Sequence, residues 1–176
     1  MKKAYGFAVT LILLASLVLC SGDVRAGMPV GSKFLIYDDT GVSEAQPSMA
    51  YNSQNHEYLV VWEAETSGSD HEIWGRRVSS NAAPLGSAFR ISPAAQGSNP
   101  DVAYSSAANG YLVVWEHAPD VYGQRISASG AHQGSAFIIA HGTSGTSFSD
   151  QPAVAYGSVA DRYLVAWRYG VDATGD

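Results

Sequence analysis

A single cysteine stands in 176 residues, and it is Cys20, inside an N-terminal stretch that reads as an export signal. Lys2 and Lys3 give the positive start, Phe7 to Leu19 the apolar centre, and Val24-Arg25-Ala26 a cleavage site, so residues 1–26 are expected to be removed. The mature chain then has no cysteine, which excludes disulfides and thiolate metal centres. The apolar run is too short and too isolated for a membrane span, so no transmembrane anchor is expected after cleavage and the destination is the periplasm or the exterior. Leu17-Val18-Leu19-Cys20 offers lipid anchoring through Cys20 as an alternative, although Leu19 stands where that motif wants a small residue.

Positive charge is scarce too. Loss of Lys2, Lys3, Arg25 and Asp23 takes the count from 10 basic and 16 acidic residues to 7 and 15, a formal charge of −8. An acidic surface repels phosphate backbones, which argues against nucleic acid as a partner. Helix-favouring Lys, Glu and Leu are sparse, whereas Gly, Ser and Ala abound beside 10 Tyr and 4 Trp. That balance suits short strands joined by tight turns, not a helical bundle.

What is present is a repeat. Gln46-Pro47-Ser48-Met49-Ala50-Tyr51 leads to Tyr58-Leu59-Val60-Val61-Trp62. Asn99-Pro100-Asp101-Val102-Ala103-Tyr104 leads to Tyr111-Leu112-Val113-Val114-Trp115, and Gln151-Pro152-Ala153-Val154-Ala155-Tyr156 to Tyr163-Leu164-Val165-Ala166-Trp167. The Pro-to-Trp distance is fifteen positions each time. Ile73-Trp74-Gly75-Arg76-Arg77-Val78-Ser79 matches Val121-Tyr122-Gly123-Gln124-Arg125-Ile126-Ser127. A Gly-Ser-x-Phe segment occurs at Gly86, at Gly134, and once before the first full unit at Gly31. One unit is therefore four strand-like segments A to D at a period near 50 residues, the pattern of a propeller blade. Segment B is a continuous apolar run, so both its faces should be buried, as in a middle strand sandwiched between neighbouring sheets.

The pattern resembles repeats in secreted bacterial proteins that read Pro-x-Val-Ala-Tyr…Tyr-Leu-Val-Val-Trp-Glu…Ile-Tyr-Gly-Gln-Arg-Val, over nearly all of residues 31–176. The resemblance implies an all-β fold of four-stranded antiparallel repeats as β-propeller blades, and it carries no catalytic residues. The expected organisation is a signal peptide (1–26), an N-terminal strand and loop (27–45), blade repeats at 46–98 and 99–150, and a partial repeat at 151–176. About two and a half blades cannot close a ring. The sequence therefore reads as a fragment whose remaining blades come from further C-terminal sequence or from an oligomer.

Strand alternation puts the A–B and C–D loops on one face and the B–C and D–A loops on the other. The first face has constant spacings. On the second, Trp62 to Gly75 spans 13 positions but Trp115 to Gly123 only 8. Variable loops on a regular scaffold are where recognition resides. Twelve of the 15 mature acids fall in the variable segments, opposed there only by Arg168. Asp38, Asp39, Asp70, Glu72, Asp120 and Asp150 are the candidate ligand-binding residues.

Hard cations want several carboxylate oxygens on flexible loops, so Ca2+ is the candidate ion; extracellular or periplasmic proteins and glycans are the candidate partners. No dense calcium-loop motif occurs, and the alternative to a site is a charged rim that keeps the protein soluble. Part of a propeller-fold glycoside hydrolase or lyase is the other functional reading, because paired carboxylates are available. Against an enzyme, there is no Gly-x-Ser-x-Gly elbow or His-Glu-x-x-His pair, and Ser67 to Trp74 matches a sialidase Asp-box only loosely. The five histidines lack ligand spacing, leaving His71 beside Asp70 and Glu72 as the one combination to watch. The recurring tryptophans indicate core packing. Arg77 and Arg125 recur in register with Glu63 and Glu116, which predicts an ion pair in each unit, broken where Arg168 takes the third Glu position.

Overall fold

The computed structural model describes residues 34–37, 43–67, 70–93, 97–143 and 147–171. The expected signal peptide, Cys20, Asp38 and Asp39 lie outside the described residues. The described chain forms ten strands and no helix. They are β1 (Glu44–Asn52), β2 (Glu57–Ser67), β3 (Asp70–Ser79), β4 (Pro84–Arg90), β5 (Ser98–Ser105), β6 (Gly110–His117), β7 (Asp120–Ser127), β8 (Phe137–Ala140), β9 (Ser147–Gly157) and β10 (Arg162–Val171). They pair antiparallel, in chain order, into sheets β1–β4 and β5–β8, and β9 with β10 make a third, two-stranded sheet. Segments A to D are these strands. The variable B–C spacing comes from strand length: β2 and β3 have 11 and 10 residues, β6 and β7 have 8 each.

The recurring X-Pro has a local cause. Glu63 and Val61 pair with Ala45 and Ser48, so Gln46 and Pro47 together oppose Trp62. The same two-against-one arrangement places Asn99-Pro100 opposite Trp115 and Gln151-Pro152 opposite Trp167. Each is a β-bulge, where a proline without an N–H costs no ladder hydrogen bond. The residue ahead of each proline is left-handed, with φ of 50°, 49° and 48° at Gln46, Asn99 and Gln151. The A–B turns repeat as faithfully: His56, Asn109 and Asp161 have positive φ, and each side chain bonds the hydroxyl of its own A-strand tyrosine (Tyr51, Tyr104, Tyr156). That contact explains why segment A ends in tyrosine.

The B strands alternate between two apolar environments. Leu59, Val61 and Ile73 of the first sheet pack on Tyr111, Val113 and Trp115 of the second. Val60, Trp62 and Val78 point the other way, under Phe34, Ile36 and Tyr37. Glycine in segment C is set by space: a Cβ on Gly75 would lie 2.8 Å from the Cδ1 of Ile91, and one on Gly123 2.8 Å from that of Ile139. The expectation of burial on both faces holds for β2 and β6 but not for β10. Leu59 and Leu112 are 0% and 5% exposed, their counterpart Leu164 72%; Trp62 and Trp115 are 4% and 1% exposed, Trp167 41%.

Burial pushes the hydroxyls of Tyr111 and Tyr163 up to about 12. A raised folded-state value means that the unfolded chain ionises first. Their contribution is therefore intact below pH ~10 and is lost as the pH rises towards ~12. Base-induced unfolding is expected in that window, with Tyr111→Phe shifting its midpoint upward; a pH titration followed by far-ultraviolet circular dichroism checks this.

Candidate functional site

The first strands of the three sheets, β1, β5 and β9, lie side by side. Their three bulges converge on a pocket of about 480 Å3 lined by Gln46, Pro47, Ser48, Asn99, Pro100, Asp101, Gln151, Pro152 and Ala153. These are three consecutive positions of each repeat, so the pocket follows the approximate symmetry of the sheets. It lies at the bulges, in the first half of β1 and β5 and midway along β9.

Asp101 holds this junction. Its Oδ1 accepts from the Ser48 hydroxyl at 2.6 Å, and its Oδ2 accepts from the Val154 backbone N–H at 2.7 Å. One carboxylate thus joins all three sheets. Asn99 ties the neighbouring layer: its backbone N–H donates to Glu63 at 3.1 Å and its side-chain amide to Glu116 at 2.8 Å. Gln46 and Gln151 occupy the equivalent positions on the outer two sheets and are exposed.

The carboxylates selected from sequence are distributed over different sheets, and most serve internal contacts. Glu72 takes Arg90 at 2.9 Å and the Trp74 indole N–H at 3.1 Å. Asp120 accepts the Gly142 N–H at 2.9 Å, with His141 at 3.5 Å, and Asp150 takes Arg168 in a two-pronged pair. Asp70 begins β3, beside His71, whose Nδ1 lies 2.8 Å from Glu63. Arg90 therefore joins Arg168 in opposing the acidic residues, and the His71 and His141 rings lie against Glu63 and Asp120. Among the described residues, no three His, Cys, Asp or Glu side chains form a group able to hold a metal ion.

The expected arginine pairing is corrected in its partner. Arg77 makes a two-pronged bond to Glu57, at 3.1 and 2.7 Å, and not to Glu63. Glu57 is Gly110 in the second unit, so Arg125 lies instead over the Phe137 ring, 5.4 Å from its centre. Gln46, Asn99, Gln151 and Asp101 went unselected at the sequence level. The available signal was an amide immediately before proline in all three repeats.

No family model matches the chain, and no curated protein or solved structure matches it.

Proposed function

We propose that this is an exported β-propeller-like repeat module that works by binding, with the sheets as blades and the pocket between β1, β5 and β9 as its recognition site. The observation that supports this most is the convergence of three equivalent bulges, with exposed Gln46 and Gln151, on one pocket. Amide side chains donate and accept at once, which suits the hydroxyl groups of a neutral glycan, and exposed Pro47 supplies an apolar ledge. The engaged carboxylates make the acidic rim a support for the fold.

Soluble oligosaccharides are expected to raise the melting temperature by mass action, by the equivalent of about 2.7 kcal/mol at a hundredfold excess over Kd. Gln46→Ala with Gln151→Ala should remove the response and leave the unliganded melting temperature unchanged, because both side chains are exposed. A rise with CaCl2 that EDTA reverses would move the site to the carboxylates. No shift with any glycan or with Ca2+ would sink the binding reading.

A further inference from the structure

Five asparagines occur in the chain, and one of them, Asn109, is followed by glycine. Asn109 closes the turn between β5 and β6, with φ of 43°. Glycine at position 110 suits the space, because a Cβ there would lie 3.0 Å from the Ile126 carbonyl oxygen on β7. The amide oxygen of Asn109 accepts two hydrogen bonds, from the Asn52 amide of the first sheet at 3.0 Å and from the Tyr104 hydroxyl at 3.1 Å. Its amide nitrogen is held only loosely, by the Oδ1 of Asn55 at 3.5 Å. Two donors on the oxygen stabilise negative charge there, as in an oxyanion hole, and so favour attack at Cγ. The nearest nucleophile is the backbone nitrogen of Gly110, which has no side chain to obstruct the approach.

The other asparagines lack this combination. Asn99 precedes Pro100, whose nitrogen carries no proton to lose. Asn52 is fully buried, and its oxygen is taken by the N–H groups of Gln54 and Asn55. Asn55 and Asn81 are followed by His56 and Ala82, whose Cβ atoms crowd a ring closure. The third unit shows what the turn tolerates at this position. Asp161 is the counterpart of Asn109, with φ of 49°, and its carboxylate accepts from the Tyr156 hydroxyl at 2.7 Å. A carboxylate therefore fits the turn and keeps the tyrosine bond.

We propose that Asn109 is a site of spontaneous deamidation in the folded chain, with water as the co-reactant. The Gly110 nitrogen gives its proton to solvent and attacks Cγ of Asn109. The N–Cγ bond forms, the Cγ–Nδ2 bond breaks, and Nδ2 takes a proton and leaves as ammonia. Water then opens the cyclic imide. Breaking the N–Cγ bond gives aspartate, whereas breaking the bond from nitrogen to the main-chain carbonyl carbon gives isoaspartate; no electrons change hands in either step. Aspartate keeps the bonds from Asn52 and Tyr104 and adds a negative charge beside Asn55. Isoaspartate inserts a methylene into the turn and draws the carboxylate away from both donors, which loosens the tie between the first two sheets.

The test incubates the purified full chain for days in mildly alkaline buffer, folded and in parallel unfolded in urea, with peptide mapping by mass spectrometry. Exchange of NH2 for OH marks the converted peptide, and chromatography separates its two products. The folded chain is expected to convert at Asn109 at least as fast as the unfolded one, with the other four asparagines intact. Tyr104→Phe, checked for folding by circular dichroism, should slow the folded reaction about tenfold or more and leave the rate in urea unchanged. Asn109→Asp should match the original chain in its urea midpoint, since the third unit accommodates the same carboxylate. Three results each overturn the proposal: Asn109 surviving in the folded chain after the unfolded chain has converted, Tyr104→Phe reacting as fast as the original, or Asn109→Asp failing to fold.

Discussion

Replacing Trp115 with alanine is expected to cost about 3–5 kcal/mol, a large part of the stability of a chain this size. The same change at Trp167 should cost about half as much or less, with Trp62 between them. All three tryptophans occupy one repeat position, each opposite a bulge, so the difference comes from what covers the ring. Trp115 is 1% exposed between two four-stranded sheets, and its removal leaves a cavity that neither sheet can close. Trp62 is 4% exposed but covered largely by Phe34, Ile36 and Tyr37, a short segment that can settle into the space. Trp167 is 41% exposed and much of its surface meets water already. Urea unfolding followed by far-ultraviolet circular dichroism gives the three midpoints without relying on the fluorescence being removed. Equal losses at the three sites would mean that the sheets are stabilised independently and that their stacking contributes little.

This gradient separates what the sequence shows from what it conceals. The four-strand unit was legible because fifteen residues separate Pro from Trp in every copy and because segment B is apolar throughout. Its bulge was not, since a proline within a strand pattern is equally compatible with an edge position. The misplaced arginine partner is a matter of pleat and reach. Arg77 pairs with Leu59, so Glu57 is its diagonal neighbour on the same face, whereas Glu63 is four residues from Leu59, about 13 Å along the strand. Repeat alignment showed that an acid recurred near the arginine but carried no information about distance. The acidic end of the fold was legible as composition. Its internal pairing was not, because Arg90 and Glu72 are brought together by the β3–β4 register.

Asp101→Ala is expected to cost about 2–4 kcal/mol, more than any other substitution of a single acid outside the Glu57–Arg77 pair. By composition this aspartate is ordinary, one acid in a short strand between Pro100 and Val102. Its partners are Ser48 and the Val154 N–H, each 53 residues away, at or beside the equivalent position of the neighbouring unit. Removing the carboxylate breaks two charge-assisted bonds and leaves the Val154 N–H without its acceptor where three strands crowd together. Asp101→Asn should lose less than half as much. Its carbonyl can still accept from Val154, and its amide can donate to Ser48 once that hydroxyl rotates. Ser48→Ala removes one bond only and is expected to cost about 1 kcal/mol. Urea midpoints for the three variants test this ordering, with Asp101→Ala losing more than Asp101→Asn, and Asp101→Asn at least as much as Ser48→Ala. If Asp101→Ala proves neutral, the three sheets are joined by apolar packing alone. If it is severe and Asp101→Asn retains most of the stability, shape and hydrogen bonding hold the junction, not charge, and an uncharged junction is also the one better matched to a neutral ligand in the pocket beside it.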